Sequence, residues 1–248
     1  MISTVTPSPA HPPMEIAQPA ANARSLTRQA FEQLRSDILH GHLRPTERLR
    51  ITALAERYEV GATAIREALS RLVADGLVEA EEQRGFCVAP VSREELIDLT
   101  QTRIDVETLA LRNAVARGDV EWESGLLSAF HRLSKAQLPT TPEHRVLWAA
   151  THRQFHEALL AGCGSPWLLR LCGLLYDKSE RYRNLAEQAP QPPGRDTVSE
   201  HRALMDAAMQ RDADGASRLL ALHFNETMNI ILRAGFGGAR PAPQETKK

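Results

Sequence analysis

The sequence predicts a mostly α-helical protein in two parts, an N-terminal winged helix-turn-helix and a C-terminal all-α bundle of about six helices. Three observations predict this fold class. Apolar residues make up 42% of the 248 residues and aromatic residues only 5%, which favours leucine- and alanine-rich helices over a β-sandwich. Residues 49–88 carry two short helical patterns followed by two extended ones. From residue 92 onward, helix-capping signals recur almost to the C-terminus.

The N-terminal segment divides into a tail and a first helix. Residues 1–23 are rich in proline and alanine and have no helical period, so we expect a disordered tail. Ser25 is a candidate N-cap for a helix that runs to about His40, and the following Gly41 is the predicted stop of that helix.

Residues 49–88 have the pattern of a helix-turn-helix with a wing. Two apolar series at helical spacing flank a short interruption: Leu54, Ala55 and Tyr58 before it, then Ile65, Ala68, Leu69, Leu72 and Val73. The second helix of such a unit has the dimensions to enter a DNA major groove. Asp75-Gly76 ends that helix, because glycine accepts the left-handed conformation that closes one. Two short strands, 77–80 and 86–88, are then expected to form the wing hairpin.

The pattern alone leaves open a helix hairpin without a DNA-binding role, but the residue identities narrow the choice. The segment resembles the DNA-binding domain of the GntR family of bacterial transcription regulators. The matching residues are Leu54-Ala55, Val60, Thr63, the run 65–69, Leu72, the run 75–78 and Arg84-Gly85. Residues 41–49 fit the family's Gly-x-Leu-x-Pro-Gly-x-x-Leu approach, with Thr46 where glycine is usual. The resemblance implies a winged DNA-binding domain over residues 24–90.

Residues 91–235 are predicted to form the helical domain, and residues 236–248 a flexible tail. Ser92 and Glu95 make a capping box that begins the first helix, and Gly118 ends it. The five further helices are predicted to begin at Asp119, Thr141-Pro142, Ser165-Pro166, Asp196 and Asp212. The predicted inward positions include Leu96, Leu99, Leu109, Val146, Leu147 and Phe155. A bundle of this size has enough core to fold alone.

Four of the nine histidines are candidates for a metal site. His152 and His156 lie four residues apart, so both imidazoles are on one face of one helix, as two ligands of one metal require. His201 and His223 lie on two later helices among apolar residues at helical spacing, so both are expected to point inward. The alternative is that the four are hydrogen-bonded core residues, which is the more frequent role of a histidine on a partly apolar face.

The bundle also resembles the FCD ligand-binding domain of the FadR-type subfamily of GntR regulators. The matching residues are the runs 103–107, 155–159 and 200–207, with Asp212, Ala216 and His223. The resemblance covers residues 93–234 and implies a divalent metal, often zinc or nickel, held by an aspartate and three histidines. His156, His201 and His223 match the three histidines, and His152 stands where the aspartate is expected.

That substitution has two possible consequences. A site of four imidazoles suits zinc, nickel or copper, and it is one charge unit more positive than the family's site, which favours an anionic ligand. Alternatively, His152 turns away and metal binding is weakened or lost.

Arg103 and Glu107 lie one helical turn apart on a helix that the family packs along the cavity, so Arg103 is a candidate to bind a carboxylate effector. The alternative for this pair is a salt bridge on a solvated face.

The DNA-contacting residues are predicted from the family pattern and from charge. Residues 24–90 contain ten arginines, no lysine and ten acidic residues, so DNA affinity must come from where the arginines lie. The candidate contacts are Ala62, Thr63, Arg66, Arg84 and Gly85. The family commonly carries Ser-Arg where this chain has Gly61-Ala62, and alanine offers only an apolar contact, for instance to a thymine methyl. The family's usual operator is therefore not expected.

Together these observations predict a cytoplasmic homodimer that represses transcription from a palindromic operator and responds to a small organic acid at the metal cavity. A dimer is expected because one recognition helix covers only a half-site. No apolar run reaches the roughly 18 residues of a membrane span. The three cysteines are an odd number without CxxC spacing, so they are expected to be free thiols. One alternative is a metal sensor whose effector is the ion itself. Another is a metalloenzyme, but Arg153 stands where HExxH would place a general base.

Overall fold

The computed structural model describes residues 18–82, 84–136, 141–186 and 195–235. The N-terminal part comprises α1 (Gln18–Leu39), β1 (Arg48–Leu49), α2 (Ile51–Tyr58), α3 (Ala62–Ala74), β2 (Val78–Glu81) and β3 (Gly85–Val88). The C-terminal part comprises α4 (Arg93–Arg117), α5 (Val120–Lys135), α6 (Pro142–Leu160), a 3-10 turn (Ala161–Cys163), α7 (Pro166–Ala186), α8 (Thr197–Met209) and α9 (Ala213–Ala234). The predicted fold class is confirmed: in the described ranges, a winged helix-turn-helix precedes six α-helices.

The winged part is organised around α3. Its buried face packs on α1, α2 and the sheet in one apolar core, whose members include Leu34, Ile38, Leu54, Ile65, Leu69, Leu72 and Val88. The wing is an antiparallel sheet of order β1-β3-β2, in which Phe86 of β3 pairs with Leu49 on one side and Ala80 on the other. The sequence does not predict β1, because a strand of two residues carries no alternating pattern.

The first helix begins earlier than the sequence predicts. α1 starts at Gln18 rather than at Ser25, so residues 18–23 belong to the helix and not to a disordered tail. Proline is compatible with the first helical turn, where its missing N–H leaves no bond unmade, and the following residues are mostly alanine, the best helix former. The rest of the predicted N-terminal tail, residues 1–17, and the C-terminal tail from residue 236 lie outside the described residues.

The backbone at Thr46 gives a physical reason for the glycine that is usual there in the resembled family. Thr46 has a φ of 65°, in the left-handed region that β-branched residues rarely adopt. The turn is nevertheless joined to the sheet, because the N–H of Thr46 donates to the carbonyl of Val88 at 2.9 Å. This chain therefore holds a strained residue where glycine would adopt the same turn without a steric penalty.

Local capping chemistry sets the helix starts in the bundle. As predicted, five N-cap side chains each accept a hydrogen bond from a backbone N–H of the first turn. They are those of Ser92, Asp119, Thr141, Asp196 and Asp212. Only part of the predicted capping box forms, because Glu95 accepts from the hydroxyl of Tyr182 instead of reaching back to Ser92. Three residues predicted to face inward are more than half exposed: Leu109, Val146 and Leu147.

Helix α7 joins the bundle to the winged part through polar contacts. Lys178 donates to the carbonyl of Gly76 at 3.2 Å, and Asn184 donates to the carbonyl of Leu39 at 2.7 Å. Arg181 donates to the backbone carbonyl of Ala89 in the connector. The winged part and the bundle are therefore in direct contact along one helix.

Two further predictions concern the cysteines and the membrane. Cys87, Cys163 and Cys172 are free and buried, as the sequence predicts. Among the described residues, no helix combines the length and the apolar character that crossing a bilayer requires.

Candidate metal centre

The structure brings the four candidate histidines together in the middle of the bundle. His152 and His156 come from α6, His201 from α8 and His223 from α9, and their exposed fractions are 2, 3, 1 and 6%. One nitrogen from each ring lies within 4.8 Å of the corresponding nitrogen of every other ring. The helical spacing of the first pair and the inward position of the other two therefore produce a single cluster.

Hydrogen bonds orient two of the rings for metal binding. His201 Nδ1 lies 2.5 Å from the carbonyl oxygen of Thr197, and His223 Nδ1 lies 2.8 Å from a carboxylate oxygen of Glu200. Both of these partners only accept. Arg195 Nη2 also lies 3.4 Å from His223 Nδ1, but it donates to Glu200 at 2.8 Å, so in each ring Nδ1 carries the proton and Nε2 has a free lone pair. His201 Nε2 is buried and has no partner among the described residues. Such hydrogen bonds from the far nitrogen are the usual support of a metal-binding histidine.

His152 has the opposite arrangement. Its Nδ1 lies 3.2 Å from a guanidinium nitrogen of Arg183, which can only donate, and 2.9 Å from the hydroxyl of Tyr176. With Nδ1 accepting, Nε2 carries the proton and points at His156 Nε2, 3.3 Å away. In this structure, His152 is therefore a hydrogen-bond donor to His156. It becomes a ligand only if its proton moves to Nδ1 and Arg183 withdraws.

All four rings are held in the neutral form that binds metals. Burial lowers the pKa of His152 and His156 well below the ordinary value, and the neighbouring cationic groups add to the effect. Burial lowers the pKa of His201 to about 3, and it lowers that of His223 although Glu200 opposes the shift. Near neutral pH, none of these rings therefore has to release a proton to solvent before it binds a cation.

The cluster fits a small transition-metal ion. Zinc–nitrogen bonds of about 2.0–2.1 Å in a tetrahedron hold the ligand atoms roughly 3.4 Å apart, so nitrogens that now lie within 4.8 Å of one another need to move inward by at most about 1 Å. An all-imidazole donor set suits zinc, nickel or copper rather than magnesium or calcium. The unpartnered Nε2 of His201 is the group that such an ion would satisfy.

The Arg103–Glu107 pair lies inside the bundle and not on a solvated face. Arg103 is 4% exposed and Glu107 1% exposed, and Nε of Arg103 donates to the carboxylate at 2.7 Å. Arg103 Nη1 donates to Ser179 at 2.8 Å, but its Nη2 is buried without a partner among the described residues. The guanidinium lies over the ring of Phe224 at 4.0 Å. Arg103 thus has one donor nitrogen available beside the histidine cluster.

Several residues around the cluster are not identified by the sequence reasoning. Tyr176 and Arg183 reach His152 from α7, and no motif marks either of them. Arg195 holds Glu200 with two hydrogen bonds of 2.8 Å. Although burial works in the opposite direction, hydrogen bonds from Arg195 and His223 lower the pKa of Glu200 to about 2. The position of Glu200 directly before His201 is the one signal that could have identified it.

The candidate DNA-contacting residues are all exposed. Ala62, Thr63 and Arg66 lie on the outward face of the first turns of α3, and Arg84 and Gly85 lie at the tip of the wing. Gly85 has a φ of 88°, which favours glycine, and a Cβ added there would meet no atom of the described residues within 4 Å. The wing backbone is therefore open to approach by a large ligand.

The comparisons with known proteins agree for both parts of the chain. The family model described as bacterial regulatory proteins, gntR family, matches residues 26–88, and the FCD domain model matches residues 98–226. The HTH-type transcriptional regulator BphR of Paraburkholderia xenovorans is 43% identical, over 88% of this chain and 89% of its own. The HTH-type transcriptional repressor GlaR of Escherichia coli is 36% identical, over 84% of this chain and 96% of its own.

Solved structures share the fold. Escherichia coli McbR/YncC has a TM-score of 0.71 at 23% identity and covers 84% of this chain and 97% of its own. A GntR transcriptional regulator from Rhodococcus sp. RHA1 has a TM-score of 0.69 at 23% identity, over 85% of this chain and 99% of its own. The family and the relatives are transcriptional regulators and not enzymes, which removes support for the metalloenzyme alternative. The chain belongs to the GntR family of bacterial regulatory proteins, and it is a DNA-binding transcriptional regulator with an FCD domain.

Proposed function

We propose that this regulator is a cytoplasmic repressor whose operator binding is controlled by a small organic acid bound at a metal in the four-histidine cluster. The observation that carries the proposal is the buried cluster itself, because four neutral imidazoles converge there and the buried Nε2 of His201 has no partner among the described residues. The repressor assignment is supported by the name of the relative GlaR. When bound, the ion would supply positive charge and a coordination position for a carboxylate oxygen.

Charge favours an anionic effector. The four neutral rings do not offset the charge of a divalent cation, and Arg103 and Arg183 lie close enough to lower the pKa of His156. Glu107 offsets Arg103, and Glu180 lies 3.7 Å from Arg183, so the two charges of the ion remain in excess. A carboxylate would balance that excess, and the unpartnered Nη2 of Arg103 can donate to it.

One carboxylate links the cluster to the winged domain. Arg153 follows His152 on α6, and its Nη1 pairs with Asp177 of α7 at 2.5 Å. The other oxygen of Asp177 pairs with Arg35 of α1. A change in the packing of α6 and α7 when the acid binds would therefore move α1, and with it the recognition helix α3 that packs on α1.

The Asp177→Asn variant tests this link. We expect operator affinity without acid to stay within about threefold of the wild type, because no DNA-facing residue changes. The effect of the acid on operator affinity should fall by about 2- to 30-fold, which corresponds to roughly 0.5–2 kcal/mol of lost coupling. The measurement is a gel shift on the DNA upstream of the protein's own gene, with zinc and a panel of carboxylic acids.

The control for this variant is Asp214→Asn. This variant removes an ion pair with Arg112 that lies on the solvent-exposed surface of the helical domain. It should respond to the acid as the wild type does. If Asp177→Asn keeps the full response, the link through this carboxylate is wrong. If no acid changes the operator binding of the zinc-loaded wild type, the organic-acid control itself is wrong.

The proposal includes a homodimer on a palindromic operator. One face of α7 exposes Trp167, Leu171 and Leu174 at 74, 48 and 39%, and their spacing makes a continuous apolar stripe. Such a stripe on the helical domain is typical of an association surface, and a two-fold dimer would present two α3 helices to two half-sites.

Arg66 is proposed to contact bases or phosphates from α3. We expect Arg66→Ala to weaken operator binding by about 10- to 100-fold, as the loss of one well-placed arginine contact does. Fluorescence anisotropy with labelled operator measures the affinity, and the same titration should give two protomers per operator. Arg218→Ala, at an exposed position on α9, is the control and should bind normally. Unchanged affinity of Arg66→Ala, or one protomer per operator, would contradict these assignments.

A metal sensor is the second candidate function. Four histidines can complete a tetrahedral site from protein ligands alone, which leaves no position for an organic ligand. In that case zinc alone would change operator binding, a chelator would reverse the change, and acids would have no effect. The donor role of His152 in this structure favours the organic-acid proposal, because it takes His152 out of the ligand set and leaves a coordination position for an organic ligand.

A further inference from the structure

A cavity of about 560 Å³ lies between α6 and α7 and reaches the histidine cluster. Its inner end is formed by buried residues, including Glu107, His156 and Tyr176. Its outer end is formed by exposed residues, including Pro166 and Arg170. The cavity is therefore a passage that opens to solvent at one end and ends at a candidate metal ligand.

The walls of the passage are mostly apolar. The lining between its two ends consists of hydrocarbon, sulfur and bare backbone, supplied by Leu160, Leu169, Cys172 and Gly173. The volume falls within the range of about 300–1,000 Å³ that is typical of small-molecule sites. It is far larger than a two- or three-carbon acid needs, and apolar walls give no hydrogen bonds to the hydroxyl groups of a sugar acid or a hydroxy-diacid. The walls fit a hydrocarbon chain or an aromatic ring.

Two donors near the inner end have no partner among the described residues. His156 Nδ1 is buried and unpartnered among the described residues, although His156 Nε2 faces His152 within the cluster. Arg103 Nη2 is also buried without a partner among the described residues. Arg103 is paired with Glu107, which lines the cavity. Unpaired buried donors are costly, and an acceptor oxygen delivered through the passage would satisfy them.

We propose that the passage binds the apolar part of the effector, and that the effector is a monocarboxylic acid with a long aliphatic or aryl-alkyl arm. This rests on the proposed function, because the carboxylate end is the group assigned to the cluster. The arm lies against Leu160, Leu169 and Gly173, and the carboxylate accepts from Arg103 Nη2 beside the cluster. Short acids and polar diacids are poor ligands because they leave the apolar walls uncovered.

The test measures the binding of three probes to the zinc-loaded, full-length protein by calorimetry. The probes are 4-phenylbutyrate, which has both parts, acetate, which has the carboxylate alone, and 4-phenylbutan-1-ol, which has the arm without the charge. Burying each methylene strengthens binding by about fourfold at most. We expect 4-phenylbutyrate to bind at least about tenfold more tightly than either fragment.

Gly173→Leu blocks the passage without disturbing the packing. A Cβ added at Gly173 meets no atom of the described part of the chain within 4 Å, and replacing a glycine inside a helix favours folding. Gly125→Leu is the matched control, because Gly125 also lies inside a helix, on α5, with open space at its Cβ and away from the cavity. Gly173→Leu should lose at least about tenfold in affinity for 4-phenylbutyrate and keep its affinity for acetate and zinc. Gly125→Leu should match the wild type for all three.

The outcomes separate this inference from the proposed function. Equal affinity for acetate and 4-phenylbutyrate overturns the apolar-arm proposal and leaves a metal-bound carboxylate standing. Full affinity of Gly173→Leu for 4-phenylbutyrate overturns the assignment of the passage. If zinc binds but no acid does, the organic-acid effector fails, and this inference fails with it.

Discussion

Replacing His201 with alanine is expected to weaken zinc binding by at least about 100-fold, because the loss of even a residue that supports a metal ligand typically costs 10- to 100-fold. His201 is the most strongly preset of the four rings, since Thr197 accepts from Nδ1 and the buried Nε2 has no partner among the described residues. Competition with a chromogenic chelator measures the affinity. In the wild type, zinc at about 1,000 times its dissociation constant should stabilise the fold by roughly 4 kcal/mol, and the variant should lose most of this gain.

His131→Ala is the control for that experiment. His131 is exposed on α5 and lies outside the cluster, so its removal should leave zinc affinity unchanged. Circular dichroism of the metal-free variants shows whether a loss of zinc binding reflects a loss of fold. A folded His201→Ala protein with wild-type zinc affinity would show that the cluster is a set of core histidines and not a metal site.

The sequence predicts best those features that depend on neighbouring residues. The caps at Ser92, Asp119 and Thr141 are correctly located because a cap bonds to a backbone N–H only three residues away. The same applies to His152 and His156, whose common face follows from one helical turn. The start of α1 is wrong because an alanine-rich segment can extend a helix without a marked cap.

Features that depend on distant residues are predicted less well. Leu109, Val146 and Leu147 follow the apolar period of their helices but are exposed, because periodicity does not tell which face a neighbouring helix covers. The family pattern identifies the position of His152 but not its hydrogen bonds. Its donor role depends on Tyr176 and Arg183, which lie 24 and 31 residues further along the chain. No local pattern carries that information.

The metal-free protein is expected to lose stability steeply as pH falls below about 6.5. Burial holds the pKa of each of the four histidines below its value in the unfolded chain, which for His201 means about 3 in the folded state. Between the folded-state pKa and the unfolded-state pKa, the unfolded chain binds protons that the folded protein does not bind. A falling pH therefore favours unfolding. The contribution is fully retained above pH 6.5 and decreases as pH falls toward the folded pKa.

The expected slope is about 1.4 kcal/mol per pH unit for each histidine, or up to about 5.5 kcal/mol per unit for all four. A domain with a stability of roughly 5–15 kcal/mol should therefore unfold within about one to three pH units. Urea unfolding followed by circular dichroism at pH 7.5, 6.5 and 5.5 measures the slope in the presence of a chelator. His201→Ala removes one of the four groups, so its slope should be smaller by about 1.4 kcal/mol per unit. Equal slopes for the two proteins would show that His201 already takes up its proton in the folded state, so that its ring is not held neutral by the core.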